Sequence, residues 1–559
     1  MKIMRKNVNI VSFFVGGLLL LSGCYDDKGS YDYHDINEIS IELPTSVSVR
    51  LSKEKPVVAV IEPKLSQTLA EEESNLTYRW EEKLKKTGAL DEWIECGQEK
   101  TCELVFQPTD VNIRTVRLVV TDHRKDGSEW YQEMTVKPIV PYSRSWFVLQ
   151  QVDGKSVLGV VDGEGNGGVV VRDAYKSDMK QDLPIEGTPK FLLTDWSYGT
   201  WDEYYTRQQP VIFVGTDRDV HLMNAVSFEQ IYTYQEMLHI KEVTGDNNFS
   251  PDWLVSFTSS GLGEIVSDNG KLYAAAADGL SVYYPLVWED GHEESCNVTK
   301  IASMTTYGFI FYDEQNHRFL RCKQYYNEGD SDYNYYFRKG REQYFFPAKV
   351  IRNIVEIGAN PYAGNAFDPN DLGNDKIMID MNRVDMNVLA TLFSTSDHKL
   401  HVYDFDGSGF GASSTAARCA GKYTFDVPGG MNVDEMSIAT SYAFGKMLFI
   451  AGGNKIYKVD LNRTVPRVTL LYEHENAFAK ITGLKFRNSN TDWGYRNDEG
   501  NWEWIGAPYR LGISLDYGGN EGGILELKLA STGEVERDSE VFEYKGFGKI
   551  IDFGYSVKL

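Results

Sequence analysis

Short runs of alternating apolar and polar residues, separated by polar turns, dominate the chain. Between residues 39 and 140 five such runs follow one another: Ile39–Leu43, Val57–Ile61, Leu76–Trp80, Thr115–Thr121 and Glu133–Lys137. An apolar residue at every second position gives a β-strand one buried and one exposed face. This segment therefore predicts a small antiparallel β-sandwich, in which Tyr78 and Trp80 point to the same face.

From residue 141 onward, one theme recurs: an apolar strand, a polar turn and a second apolar strand. Seven such hairpins occur: Trp146–Val161, Val211–Met223, Lys271–Tyr283, Tyr307–Cys322, Leu389–Phe405, Met447–Val459 and Leu511–Leu529. They predict a β-propeller of seven blades, each hairpin forming the inner part of a blade, because radial closure leaves no long exposed sheet edge. Two stacked sandwiches are the alternative. Long helical patterns are nearly absent, so the predicted fold class is all-β.

The first 23 residues differ from everything that follows. Three basic residues precede an apolar stretch, Val11–Leu21, which continues into Ser22-Gly23-Cys24. This is the order of a bacterial lipoprotein signal. The stretch is too short to cross a hydrocarbon core, which takes about 20 helical residues. We therefore expect residues 1–23 to be cleaved and acyl chains on Cys24 to hold the protein to the membrane. An ordinary secretory signal with an incidental cysteine is the alternative.

The predicted organisation has four parts. Residues 1–23 are the signal peptide, residues 24–38 an acidic tether with few aliphatic side chains, residues 39–140 the sandwich and residues 141–559 the propeller. The chain carries 81 acidic and 57 basic residues, a net charge of −24, and loss of the signal peptide makes it more acidic still. This charge, with no dense Lys/Arg run, opposes binding to phosphate backbones, so nucleic acid is not expected as a partner.

Four segments of the N-terminal part occur together: Cys24-Tyr-Asp-Asp-Lys-Gly-Ser-Tyr-Asp-Tyr33, Leu76-Thr-Tyr-Arg-Trp80, Val119-Val-Thr-Asp122 and Ser145-Trp-Phe-Val-Leu-Gln150. Up to about residue 160 the chain resembles the polycystic-kidney-disease (PKD)-like lipoproteins of Bacteroidetes. The resemblance implies an immunoglobulin-like PKD sandwich and display at the surface of the outer membrane, where acidic residues such as Asp26 and Asp27 follow the lipidated cysteine. It also implies association with SusC/SusD-type uptake systems, but no reaction.

Five cysteines remain after Cys24, so they cannot all pair with one another. Cys96 and Cys102 flank a five-residue segment that fits a hairpin tip. In an exported protein these two cysteines can form a disulfide, and two reduced, half-buried thiols are the alternative. The sequence offers no zinc site there, because no closely spaced Cys/His pair stands nearby.

No familiar catalytic motif appears, and no catalytic residue is predicted. His398 and His401 are the closest histidine pair, but on a strand they face opposite sides. A weak calcium loop has oxygen donors at positions 1, 3, 5 and 12: Asp162, Glu164, Asn166 and Asp173. A glycine-rich hairpin turn explains the same residues, and no cofactor other than this calcium is considered.

Three segments predicted to be loops are rich in aromatic residues interleaved with Asp, Asn, Gly and Arg. The ligand-binding candidates in them are Trp196 and Trp201 in the first, Tyr335 and Tyr336 in the second, and Trp493, Tyr495, Trp502, Trp504 and Tyr509 in the third. Flat rings with hydrogen-bonding neighbours suit sugar stacking, peptide capture and protein interfaces. Internal packing of the loops is the alternative.

These features predict a surface-exposed, lipid-anchored, non-catalytic binding subunit of a TonB-dependent, SusC/SusD-type nutrient uptake system. Its expected partners are the outer-membrane transporter, the SusD-type lipoprotein and a nutrient that is an oligosaccharide, a peptide or another small molecule. One alternative is a propeller-type glycosidase or lyase acting on extracellular glycan, although the sequence singles out no carboxylate pair for it. Another is a structural scaffold that docks on the transporter.

Overall fold

The computed structural model describes residues 37–557, apart from 53–54, 70–72, 85–91, 108–109, 111–112, 125–127, 143, 164–167, 202–205, 235–249, 257–263, 269, 276–283, 306–307, 327–334, 340–341, 347–349, 360–365, 385–386, 408–415, 488–493, 497–501, 505–508 and 538–540. The chain divides into two compact units, Met1–Ile139 and Val140–Leu559. The signal peptide, Cys24 and most of the tether lie outside the described residues.

The described part of the N-terminal unit consists of β-strands. These are β1 (Ile39–Glu42), β2 (Ser46–Arg50), β3 (Val57–Ile61), β4 (Lys64–Gln67), β5 (Leu76–Leu84), β6 (Glu92–Gly97), β7 (Cys102–Phe106), β8 (Arg114–Asp122) and β9 (Glu129–Ile139). Five of them form a sheet in the order β2-β9-β8-β5-β6, and β1-β4 and β3-β7 form two-stranded sheets. Within the large sheet β2 runs parallel to β9, and the other pairs are antiparallel.

Alternation along these strands builds the sandwich core, as the sequence predicts. Trp80 is fully buried, and its indole Nε1 donates a hydrogen bond to the Lys100 carbonyl at 3.2 Å. On the next strand Val116, Leu118 and Val120 are also fully buried. Thr115, Arg117, Val119 and Thr121 alternate with them on the outer face of the five-stranded sheet, where Val119 is also buried.

Seven sheets of four or five strands make up the described ring of the C-terminal unit. Blade 1 contains β10 (Arg144–Val152), β11 (Lys155–Asp162), β12 (Val169–Val171) and the last strand, β43 (Lys549–Val557). Blade 2 contains β13 (Pro189–Trp201), β14 (Thr206–Thr216), β15 (Val220–Asn224) and β16 (Gln230–Thr233). Blade 3 contains β17 (Pro251–Ser256), β18 (Glu264–Asp268), β19 (Lys271–Ala275) and β20 (Tyr284–Pro285). Blade 4 contains β21 (Val287–Trp288), β22 (Val298–Thr305), β23 (Gly308–Asp313), β24 (Arg318–Tyr326) and β27 (Val350–Glu356).

The remaining blades follow the same scheme. Blade 5 contains β28 (Gly358–Ala359), β29 (Lys376–Val384), β30 (Asn387–Ser394), β31 (Lys399–Asp406) and β32 (Ala416–Asp426). Blade 6 contains β33 (Ser437–Ala439), β34 (Met447–Gly452), β35 (Lys455–Asp460) and β36 (Arg467–Glu473). Blade 7 contains β37 (Lys480–Phe486), β40 (Arg510–Gly518), β41 (Glu521–Lys528) and β42 (Phe542–Phe547).

A few short elements lie outside these sheets. Two small hairpins pair β25 (Tyr335–Lys339) with β26 (Glu342–Phe346) and β38 (Gly494–Arg496) with β39 (Trp502–Trp504). One helix, α1 (Ala174–Met179), follows blade 1, and 3₁₀ turns cover Pro428–Gly430, Val433–Glu435 and Tyr442–Phe444.

The blades pack as a closed ring. Each of seven buried hydrophobic clusters joins two consecutive sheets, and the series returns from blade 7 to blade 1. The closing cluster brings Ile524 and Phe547 of blade 7 against Trp146 and Phe553 of blade 1. This arrangement confirms the β-propeller and excludes two stacked sandwiches. The ring is closed by β43, which pairs with β10 and provides the innermost strand of blade 1.

Six of the seven predicted hairpins are the middle strands of their blades and not the inner part, whereas the hairpin predicted at Lys271–Tyr283 contains β19 and then residues outside the described part. Residues 146–161, for example, span β10 and β11, the second and third strands of blade 1 counted from the channel. The middle strands have paired neighbours on both sides and are apolar on both faces, which gives them the clearest hydrophobic pattern. The innermost strands are less regular because one edge faces the central channel.

Candidate functional site

Strand order determines which loops share a face of the propeller. Within a blade the four main strands run antiparallel from the channel outward. The links between strands one and two and between strands three and four therefore leave from one end, which we call the hairpin face. The links between strands two and three, and the links to the next blade, leave from the opposite end, which we call the turn face.

All three aromatic segments lie on the hairpin face. The described part of the first lies at the end of β13 in blade 2, that of the second between β24 and β27 in blade 4, and that of the third between β37 and β40 in blade 7. These segments are separated by up to about 300 positions in the sequence. The topology thus brings together segments that the sequence presents only as three separate loops.

Within this face, the described candidates occupy extended hairpins. Trp201 lies opposite Thr206 where β13 and β14 run on past the body of blade 2. Tyr335 and Tyr336 lie opposite Phe346 and Phe345 on the hairpin of blade 4. Trp196 lies on β13 as well.

The hairpin of blade 7 carries the third segment. Trp502 and Trp504 lie opposite Arg496 and Gly494, and Tyr495 lies opposite Glu503. Trp493 lies outside the described residues. The Tyr509 ring, just before β40, packs edge-on against Phe444 with centroids 5.4 Å apart.

A buried ionic cluster lies at the root of the blade 7 hairpin. Arg487, the first residue after β37, donates from Nε to Oε2 of Glu526 at 2.8 Å, and the two residues are 4% and 2% exposed. The same carboxylate accepts a bond from the indole Nε1 of Trp146 at 2.9 Å and lies 3.3 Å from the guanidinium of Arg510. A carboxylate buried this deeply is tolerated because its charge and lone pairs are matched.

Aromatic packing completes this cluster, which we call the closure lock. The Arg487 guanidinium lies 4.3 Å from the ring centroid of Tyr555 and donates to the Tyr555 hydroxyl at 3.1 Å. Gly512 provides space for Trp146, since a Cβ atom there would lie 2.4 Å from the indole ring. The lock therefore joins the first strand, the last strand and the last blade of the ring.

Lysine–aspartate pairs line the channel between innermost strands. Lys190 pairs with Asp252 at 3.4 Å across blades 2 and 3, and Lys300 with Asp380 at 3.4 Å across blades 4 and 5. In each pair the lysine comes from one blade and the aspartate from the next. The wall of the channel is therefore polar, with both signs of charge represented.

The third channel pair also holds the closing blade. Lys485 lies 2.7 Å from Asp552, the Leu192 amide donates to Asp552 at 2.8 Å, and the Lys485 ammonium donates to the Leu192 carbonyl at 3.3 Å. The inner edge of an innermost strand has no neighbouring strand to satisfy its backbone. Here the Asp552 carboxylate and the Lys485 ammonium form hydrogen bonds with the Leu192 backbone, and together they connect blades 7, 1 and 2.

Of the four residues of the predicted calcium loop, the structure describes two, Asp162 and Asp173, and both form hydrogen bonds within the fold. Asp162 is buried and accepts hydrogen bonds from the Tyr142 amide at 3.1 Å and the Ser145 hydroxyl at 2.9 Å. Asp173 caps α1 by accepting from the Lys176 amide at 2.9 Å. Glu164 and Asn166 lie outside the described residues, so the calcium site stays a prediction.

No group of three or more His, Cys, Asp or Glu side chains among the described residues is placed to hold a metal ion. No helix in the described part of the chain is long and apolar enough to cross a membrane.

Cys96 and Cys102 come together between two sheets of the sandwich. Both are free thiols, and their side chains are in hydrogen-bonding contact. Cys102, on β7, is buried, whereas Cys96, at the end of β6, is half-buried. The contact lowers the pKa of Cys96 and raises the pKa of Cys102. A disulfide here would connect the five-stranded sheet to β3-β7, and it stays a prediction.

Oxidation of this pair is expected to make the mature protein about 2 Da lighter, through loss of two hydrogens, and to stabilise the sandwich by about 2–3 kcal/mol through loop closure. Intact mass measurement and urea denaturation with and without a reductant check this. The Cys102→Ala variant is the control, because reductant should leave its transition unchanged. Rapid alkylation of both thiols in protein purified without reductant would contradict the prediction.

The fold has relatives among solved structures. The chain is similar to a quinonprotein alcohol dehydrogenase-like protein of Bacteroides thetaiotaomicron, at 13% identity and a TM-score of 0.40, over 92% of this chain and 97% of that one. It is also similar to apo AztD of Citrobacter koseri, at 9% identity and a TM-score of 0.33, over 87% and 100% of the two chains. These likenesses concern the fold alone.

Sequence comparison gives one family for part of the chain. No curated protein sequence matches. The model of the PKD-like family matches residues 24–186, a range that covers the sandwich and continues through β10, β11, β12 and α1. The PKD-like part of the sequence resemblance is thereby confirmed: from Cys24 to Glu186 the chain is similar to the PKD-like family.

Proposed function

We propose that this protein is a lipid-anchored surface protein whose propeller binds a nutrient for a TonB-dependent, SusC/SusD-type uptake system without catalysing a reaction. The observation that carries the proposal is the position of the three aromatic segments on one face of the propeller. Aromatic residues on extended loops above a rigid scaffold are a common way to build a binding site.

The hairpins on this face are additions to the ring. The β25-β26 and β38-β39 hairpins belong to none of the seven blade sheets. Among the residues whose side chains the structure describes, the clusters that flank blades 4 and 7 are built mainly from the blade strands. Aromatic-rich segments added to such a scaffold favour recognition.

The channel supports binding more than catalysis. Three of the described carboxylates on innermost strands, Asp252, Asp380 and Asp552, each have a lysine partner within 3.4 Å. A glycosidase needs one carboxyl group free to donate a proton and a second one free to attack or to activate water. The ion pairs instead hold neighbouring strands together.

The anchor and the entry point of the propeller complete the proposal. The PKD-like match begins at Cys24, the residue that we propose is acylated. The chain enters the propeller at Arg144, which pairs with Val557 at the hairpin face. The first strand of the propeller therefore begins on the face that carries the aromatic segments.

Replacing Trp502 and Trp504 together with alanine is expected to weaken nutrient binding at least tenfold, because aromatic anchors contribute most of the energy at such sites. Isothermal titration with oligosaccharides or peptides taken up by the strain measures the affinity. Phe478→Ala is the matched control, since Phe478 is 88% exposed on the turn face. Unchanged affinity in the double variant, with an unchanged melting curve, would remove this hairpin from the site.

Replacing Cys24 with alanine is expected to abolish acyl labelling and release the protein from the membrane, because no other lipid attachment is predicted. Metabolic labelling with a fatty acid and fractionation of the cells measure both effects. A Cys24→Ala protein that stays labelled and membrane-bound would disprove the anchor.

Association with the uptake system is tested by affinity purification from mildly solubilised outer membranes. We expect the transporter and the SusD-type lipoprotein to be recovered with the wild-type protein. Recovery of the protein alone argues against an uptake role. Turnover of a glycan that one channel substitution, such as Asp552→Asn, abolishes would instead support the enzyme.

A further inference from the structure

The outer face of the five-stranded sheet in the N-terminal unit carries a row of stacked side chains. Trp93 lies on β6, Arg117 on β8 and Tyr131 on β9. The Arg117 guanidinium carbon is 4.1 Å from the ring centroid of Trp93 and 5.4 Å from that of Tyr131. The three side chains form a row that crosses four strands, and we call it the platform.

The platform is held in place from below. The Arg117 Nε atom lies 2.6 Å from Oε2 of Glu81, whose other oxygen lies 2.9 Å from Nε of Arg79. The Glu81 side chain is only 12% exposed, so the carboxylate fixes both guanidinium groups at the sheet surface. A guanidinium fixed in this way positions the rings beside it, and little conformational entropy is left to lose on binding.

The rings lie on the face of the sheet opposite to the fully buried core, next to Val119, which pairs with Tyr131 and is 4% exposed. The inner face of the sheet buries Trp80, Leu118 and Val120 completely. On the outer face Tyr131 is 63% exposed, although it stacks on Arg117. A large aromatic side chain that is ordered by its neighbours and left open to solvent is typical of a contact residue.

We propose that the platform binds an extended neutral glycan. The C–H faces of sugar rings stack on aromatic rings, and sugar hydroxyls need donors and acceptors at the rim. The platform has both, because Arg79, Lys83, Glu81 and Glu129 surround the rings. Charges of both signs in so small an area favour neither an anion nor a cation. The net charge of −24 further disfavours acidic glycans.

This site is independent of the hairpin face, since it lies in the other compact unit. It is tested with the unlipidated mature chain, residues 25–559, by native gel electrophoresis through amylopectin, xyloglucan, galactomannan or the anionic polysaccharide alginate. We expect at least one neutral polysaccharide to retard the wild-type protein and alginate to have no effect.

Matched variants locate the binding. Trp93→Ala combined with Tyr131→Ala is expected to weaken retardation at least tenfold, while Tyr131→Phe, which keeps the ring, stays within twofold of the wild type. Melting curves confirm that each variant is folded. The Trp502→Ala, Trp504→Ala variant is run beside them: loss of retardation there, with the platform variants unaffected, assigns the glycan to the hairpin face and overturns the platform.

Two other outcomes also overturn the proposal. One is the absence of retardation by every neutral polysaccharide in the panel. The other is retardation of the wild-type protein and the Trp93→Ala, Tyr131→Ala variant to the same extent. Binding of an unfolded casein peptide that the platform variants abolish, in place of glycan binding, would identify a peptide surface instead.

Discussion

Deleting residues 549–559 is expected to abolish cooperative folding of the propeller. The deletion removes β43, which forms the innermost strand of blade 1 and pairs with β10 along its length. It also removes Phe553 and Tyr555 from the cluster between blades 7 and 1, and Asp552 from the channel wall. Loss of one large buried aromatic side chain costs about 3–5 kcal/mol, whereas whole domains are stable by only about 5–15 kcal/mol.

Thermal unfolding followed by near-ultraviolet circular dichroism, together with limited trypsin digestion, measures this effect. The truncated protein should show no sharp transition above the one that belongs to the sandwich, and its propeller should be digested rapidly. The matched control removes only residues 558–559, which follow β43, and should melt like the wild type. A truncated propeller that melts cooperatively near the wild-type temperature would show that the ring does not depend on this closure.

The hydrophobic pattern of the sequence predicts the propeller through the middle strands of its blades. It does not predict β43, the strand that closes the ring. Residues 447–459 read as a hairpin because β34 is apolar on both faces and β35 carries Ile456, Tyr457 and Val459. The innermost strands are harder to recognise, since Lys485 on β37 and Asp552 on β43 interrupt their patterns. These two charged residues pair with each other at the channel edge. In the local sequence they look the same as charged residues that are exposed to solvent.

The candidate site, too, could be predicted only in part from the sequence. The density of aromatic residues singles out the three segments, but their common face follows only from the order of strands within each blade. The closure lock leaves no local signal at all, because Trp146 and Glu526 are 380 positions apart. A hydrogen bond between such distant residues has no spacing that a motif could describe, and the Arg487–Glu526 salt bridge beside it also joins residues 39 positions apart.

Replacing Glu526 with alanine is expected to lower the free energy of unfolding of the propeller by about 3–5 kcal/mol. The change leaves the Arg487 guanidinium buried without its carboxylate, and it leaves the Trp146 indole N–H without its acceptor. An uncompensated buried charge costs more than the lost ion pair contributed, because the arginine cannot recover its hydration.

Urea denaturation of the wild type and of Glu526→Ala measures the difference, with Glu521→Ala, an exposed carboxylate on the same strand, as the matched control. The control should change stability by less than about 0.5 kcal/mol. The double variant Glu526→Leu, Arg487→Met should recover much of the loss, because it removes both charges and keeps the volume filled. If Glu526→Ala and Glu521→Ala unfold at the same urea concentration, the lock does not hold the ring closed. If Glu526→Ala lowers the free energy of unfolding only slightly and the double variant is unstable, packing of the methylene groups, and not charge, stabilises the junction of blades 7 and 1.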